Sequence, residues 1–155
     1  MKQTFNEIKK VAYKNDTNCC TVIATAIAFE KPFRKIQMDF FKRGYRTKGK
    51  GFRYFLKLDE IAKTYNYNLE YLAETEFEVK RVFGRSLTPN NCTQYLDLET
   101  YLIGIRKHVF AVKNGIVEDW TKGRKHKITE IVRVTPIKKV KDLNISKSKY
   151  DFSQF

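Results

Sequence analysis

The run His108-Val109-Phe110-Ala111-Val112-Lys113-Asn114-Gly115-Ile116-Val117-Glu118-Asp119-Trp120 decides how this chain folds. Its flanks are rich in β-branched and aromatic residues. The Asn-Gly pair between them supplies the two residues that best tolerate the positive φ of a type I′ turn. A two-residue loop fixes the register: Lys113 pairs with Ile116, Val112 with Val117, Ala111 with Glu118, Phe110 with Asp119, Val109 with Trp120 and His108 with Thr121. Paired residues share a face and faces alternate along a strand, so His108, Phe110, Val112, Val117 and Asp119 lie on one side. Val112 and Val117 mark that side as buried. Asp119 becomes a diagonal neighbour of His108, at a Cα separation of about 7–8 Å that a carboxylate-to-imidazole hydrogen bond can bridge. On its own such a pair is more often structural than chemical.

Working outward, residues 101–105 and 128–135 have the same β-rich composition and extend the hairpin into an antiparallel sheet. Thr88 and Pro89 start a short helix toward Leu98. The N-terminal half has a helical period instead. Asn18 is placed to cap a helix over residues 19–29, whose only polar side chains after Cys20 are Thr21 and Thr25, so it is expected to be the buried central helix. Pro32 opens a second helix with the apolar stripe Phe33, Ile36, Phe40 and Phe41, and Gly44 ends it. A basic loop containing Lys48-Gly49-Lys50-Gly51 follows, then a third helix over residues 53–65, which Asn66 to Asn68 break. Helices first and an antiparallel sheet afterwards make an α+β fold: one domain over residues 1–136, followed by a basic, Lys/Ser-rich tail over residues 137–155.

With 155 residues, 42% of them hydrophobic, the chain can build one core without disulfides or a metal. No apolar run approaches the roughly 20 residues that span a bilayer, and charges run through residues 1–16 where a secretory segment would be apolar. A soluble protein without membrane association is expected. Three cysteines, two of them the neighbours Cys19 and Cys20, suit a reducing compartment, and neither they nor His108 and His126 form a zinc pattern. No nucleotide or other cofactor fingerprint occurs. The net charge of +14 is concentrated in residues 31–57 and 122–149. Solubility alone accounts for such a surface, and so does a nucleic-acid or acidic partner. For the second case the candidates are Arg43, Arg46, Lys50 and Arg53, interleaved with Tyr45, Phe52 and Tyr54, which can stack on bases.

Cys20 gives the hairpin pair a chemical context. A thiol in the first turn of a helix meets the positive end of the dipole and unpaired N–H groups, which favour the thiolate, although a cysteine on an apolar helix is more usually core. His126 lies among Lys122, Arg124, Lys125 and Lys127 and reads as a solvated loop residue. A cysteine opening a buried helix, then a histidine on a later strand and an acid on the next, resembles the papain-like cysteine peptidase fold. Asn18-Cys19-Cys20 with Ala24, Ala26 and Ala28, then Lys31-Pro32-Phe33, is similar to small phage and bacterial cysteine peptidase-like proteins of that fold. The later run from Tyr101-Leu102-Ile103 through Lys107-His108-Val109 and Gly115 to Val117-Glu118-Asp119-Trp120 matches their second motif.

The resemblance implies Cys20 as nucleophile, with Cys19 as rival, His108 as general base and acid, and Asp119 as orienting acid. It also implies a peptide or protein substrate and a cytoplasmic setting, that of the host if phage-encoded. The glutamine that such enzymes place shortly before the cysteine is missing, which leaves Asn18 or Asn15, with the Cys20 N–H, as oxyanion candidates. The expected function is thus a thiol-dependent hydrolase or acyl transferase. The alternative is a nucleic-acid or acidic-protein binding module on a decayed scaffold. Geometrically, the helix opened by Cys20 should pack on the face holding His108, Phe110 and Val112, with His126 remote.

Overall fold

The computed structural model describes residues 3–51 and 58–137. Arg53 with its aromatic neighbours Phe52 and Tyr54, the start of the third expected helix and residues 138–155 of the basic tail lie outside the described residues.

Among the described residues, five α-helices and a five-stranded antiparallel sheet form an α+β domain, with the strands in the order β1-β5-β2-β3-β4. Helix α1 (Phe5–Asn15) begins at Thr4, whose hydroxyl accepts the Glu7 N–H at 3.3 Å, and it buries Phe5, Ile8 and Ala12. Nothing in the sequence reading announced it, because its buried stripe is thin and set among charges. Helix α2 (Cys20–Ala28) is buried from Thr21 to Ala28, as its nearly all-apolar composition leads one to expect. Its cap differs from expectation: Cys19 is the N-cap residue and no side chain caps the helix, while Asn18 adopts φ 50° and donates its amide to the Gly49 carbonyl at 3.0 Å. Helix α3 (Phe33–Lys42) turns Phe33, Ile36 and Phe40 inward but leaves Phe41 in solvent, and α4 is Leu58–Thr64.

The order of elements also departs from expectation. Strand β1 (Tyr67–Ala73) and helix α5 (Glu76–Phe83) stand where the sequence reading placed only a helix break, so the sheet starts before the helices end. Tyr67, Leu69 and Tyr71 alternate with polar residues over too short a stretch to outweigh the Asn66 signal, which in fact marks a positive-φ turn into the strand, at φ 64°. Near residues 88–98 only a single 3-10 turn forms, Cys92–Gln94.

Strands β2 (Thr100–Ile105), β3 (His108–Lys113), β4 (Ile116–Glu118) and β5 (Ile128–Pro136) complete the sheet. The β3–β4 turn has the expected chirality, with Asn114 at φ 53° and Gly115 at φ 75°, and the register pairs Lys113 with Ile116, Val112 with Val117 and Ala111 with Glu118. The ladder stops there.

Both faces of the sheet are covered. On one, Leu102, Val109, Ala111, Val132 and Val134 pack against α1 to α4. On the other, Tyr101, Ile103, Phe110, Val112, Val117 and Ile131 pack with Val79 of α5 and with Leu87, Cys92 and Leu96. Helix α2 therefore lies on the Val109/Ala111 face, opposite to the one expected. Two buried faces explain the misassignment, since apolar residues at every position of β3 leave no alternation to say which side a helix takes.

Candidate functional site

The N-terminus of α2 and the start of β3 meet at one end of the sheet. Cys20, the first residue of α2, is half-buried; its thiol lies 4.0 Å from the Thr21 hydroxyl and near enough to the His108 ring and the Val109 N–H for both to act on its ionisation. Because the helix covers the neighbouring face and His108 is the terminal residue of its strand, the imidazole can turn past the edge to the thiol. A tight turn at Arg106 and Lys107, the latter at φ 60°, delivers His108 to that position.

On its other side the imidazole Nε2 lies 2.7 Å from Asp119 Oδ2. Asp119 sits just past the end of β4. The same oxygen accepts the Thr121 hydroxyl at 2.6 Å and the Thr121 N–H at 3.2 Å, and Thr121 is fully buried. Thr121 thus positions the carboxylate. The sequence reading missed it, although an Asp whose side chain takes the N–H two residues on is the ordinary Asx turn and was there to be found in Asp119-Trp120-Thr121.

The electrostatics follow from these contacts. Burial pushes the Cys20 thiol up, but the His108 hydrogen bond, the Val109 N–H and the charge of the imidazolium outweigh it and bring the thiol below its ordinary value. Burial pulls His108 down, yet the bonds to Asp119 and Cys20 raise it to about 9. Both directions favour a thiolate–imidazolium pair. Cys19 is different: burial and then the charge of Asp16 push its thiol up to about 11, and its side chain is packed in the core. Cys92 is likewise buried, in the opposite core, and likewise raised to about 11.

Two aromatic side chains flank the triad. Trp120 is half-exposed, with its ring 5.1 Å from His108 and 6.4 Å from His126. His126 is therefore one ring removed from the triad, in an exposed position, and not remote as expected. Tyr13 of α1 is exposed and feels the charges of Cys19, Asp119 and Cys20, which with burial raise its phenol.

The segment leading to Cys20 is clamped. Asp16 is buried and accepts Arg46 Nη1 and Nη2 at 2.7 and 3.1 Å, Gln37 Nε2 at 2.8 Å, and the Gly49 and Thr17 N–H groups at 2.6 and 2.8 Å. These donors outweigh its burial and hold the carboxyl well below the usual carboxylate range. Arg46, expected on a nucleic-acid face, is itself buried, with two further N–H groups on the Lys50 and Thr17 carbonyls at 2.6 and 3.2 Å. Arg43 is bonded to Glu60 and Thr64 at 3.2 and 3.0 Å, and Tyr45 packs edge-on against Phe40. Of the described candidates, Lys50 is exposed and has no ionic partner among the described residues. Asn18, the oxyanion candidate, commits its amide to the loop carbonyl of Gly49.

Among the described residues no helix is long and apolar enough to cross a membrane, and no group of three or more His, Cys, Asp or Glu is placed to hold a metal ion. No protein-family model matches the sequence, and neither a curated protein nor a solved structure shows significant similarity to it.

Proposed function

We propose that the protein is a thiol-dependent hydrolase or acyl transferase of the papain-like type, acting on an amide or ester through a Cys20 acyl-enzyme, with His108 and Asp119 completing the triad. The observation that carries this reading is one imidazole with a carboxylate 2.7 Å from Nε2 and, close by, a thiol at the head of a buried helix that the imidazole draws below its ordinary value. A His–Asp pair that served only structure would have no use for a second, ionisable partner.

In this mechanism the Cys20 thiolate attacks the carbonyl carbon, and the C=O electron pair moves onto oxygen. The Cys20 N–H, at the positive end of α2, is the oxyanion donor this reading assigns. As the tetrahedral species collapses, the His108 imidazolium gives its proton to the departing amine or alcohol and leaves a thioester. Neutral His108 then takes a proton from water, or from another acceptor, as that nucleophile attacks the thioester and Cys20 leaves as thiolate. Asp119 stabilises the charged ring throughout and fixes its tautomer.

The test is acylation by p-nitrophenyl acetate followed by intact-mass and peptide mapping. One acetyl group should reside on Cys20, form fast with wild type, and disappear with Cys20→Ala. Acetylation spread over lysines with no burst of p-nitrophenolate would refute the proposal.

A further inference from the structure

Beside the triad, on the far side of Trp120, lies a cavity of about 460 Å³ lined by Glu76, Arg106, His126, Lys127 and Thr129. Its position ties it to the chemistry. Arg106 is two positions before His108 in the same turn, and Trp120 touches both the catalytic imidazole, at 5.1 Å, and His126 on the cavity wall, at 6.4 Å. Lys107 and Lys125, the chain neighbours of Arg106 and His126, are exposed. Among the described residues neither these two nor Arg106 has an ion-pair partner, whereas the acid of the cavity, Glu76, is already shared by Lys80 and Lys127 at 3.6 and 3.5 Å. A concave, cation-lined surface next to a reactive centre raises the local concentration of anionic ligand in a way that scattered surface lysines do not.

We infer that this cavity is a subsite for an acidic side chain, and that the substrate is an acidic peptide segment. The inference rests on the thiol-hydrolase reading and names its substrate class. The half-exposed Trp120 offers an apolar wall for the intervening residues. An extended chain advances about 3.3 Å per residue, so a carboxylate two to four residues from the scissile bond spans the distance past the indole. A nucleic acid is the poorer match, because a backbone-tracking groove needs a continuous line of free cations, and Arg46 and Arg43 are spent on Asp16 and Glu60.

Peptide vinyl sulfones test this, with glutamate, glutamine or lysine placed two to four residues from the warhead. The Cys20 thiolate adds to the β-carbon and the His108 proton passes to the α-carbon, so labelling requires no leaving group. Cys20 should be labelled about fivefold faster by the glutamate peptide than by the glutamine peptide, with the difference shrinking at high salt. Arg106→Glu combined with Lys127→Glu should reverse the order in favour of the lysine peptide. Both residues are exposed, so folding should persist, and an unchanged iodoacetamide rate at Cys20 verifies the triad. Equal rates for all three peptides, with a still-activated thiol, would overturn the acidic subsite and leave the hydrolase reading standing. Protection of Cys20 by oligothymidylate and not by polyglutamate would overturn it in favour of a nucleic acid. An ordinary, unactivated Cys20 would remove the underlying reading and this inference with it.

Discussion

Two buried carboxylates near the head of α2 each face a basic side chain at 2.7 Å, Asp16 with Arg46 and Asp119 with His108. They do different things. Around Asp16 the carboxylate is saturated: its oxygens receive protein donors from four residues, and two further guanidinium N–H groups go to backbone carbonyls. The guanidinium is permanently charged, so nothing there can move a proton. Around Asp119 the chain of contacts runs on, through an imidazole that titrates, to a thiol that titrates. A closed network fixes the loop before the helix, and an open one of the same length leaves a proton to give. On the hydrolase reading, the contrast separates a positioning device from a reactive one.

Substitutions in the two clusters should divide accordingly. The largest effect on activity is expected for Asp119→Asn, which keeps the shape but favours the wrong imidazole tautomer: Cys20 acylation should slow by about 10³-fold or more, with a smaller loss of stability than in Arg46→Ala. A comparable loss of stability instead would place Asp119 with Asp16. Arg46→Ala, by contrast, strands a buried carboxylate and should cost about 3–5 kcal/mol, seen as a melting temperature lower by roughly 10 °C. If Arg46→Ala slowed acylation without lowering stability, the clamp would belong to the chemistry.

The two clusters should also fail at opposite ends of the pH scale. Asp16 has its carboxyl lowered, so its contribution is complete above its ordinary value of 3.8 and is lost as the pH falls below that. His108 is raised from 6.5 to about 9, so its contribution is complete below 6.5 and is lost as the pH rises through about 9. The lowered Cys20 thiol works with the opposite sign, contributing fully only above the ordinary thiol value and losing its share as the pH falls. Proton NMR of the His108 ring, with denaturant midpoints measured across the range, checks this; an imidazole titrating near 6.5 would contradict it. The smallest change is expected from Thr121→Val, which removes one of the bonds to Asp119 and should cost about 1 kcal/mol while shifting the pH profile of acylation. A profile identical to wild type would mean that the Thr121 N–H alone positions the acid.

The hairpin was the most legible part of the chain. Asn114-Gly115 dictated the turn and the turn dictated the register of three pairs, because each step is local and sterically constrained, whereas the expected pairs from Phe110–Asp119 to His108–Thr121 do not form and Asp119, just past the ladder, meets His108 through its side chain. The apolar run of α2 likewise announced a buried helix with Cys20 at its head. Tyr13 and the Asp16–Arg46 clamp were not legible. The clamp joins residues 30 positions apart in sequence, and a basic residue in a Lys/Arg-rich loop carries no local sign that it will be buried.

By itself, then, the sequence determined the secondary elements that carry the site and the hairpin turn that brings the start of β3 and the end of β4 together, since period and turn chemistry act over a few residues. Only the tertiary structure decided that α2 covers the Val109/Ala111 face, that Cys20 and not Cys19 meets the imidazole, and that Arg46 turns inward. The physical reason is common to all three. A sheet buried on both faces, two adjacent cysteines and a row of cations are each degenerate locally, and the degeneracy is broken by which partner the packed chain brings within hydrogen-bond reach.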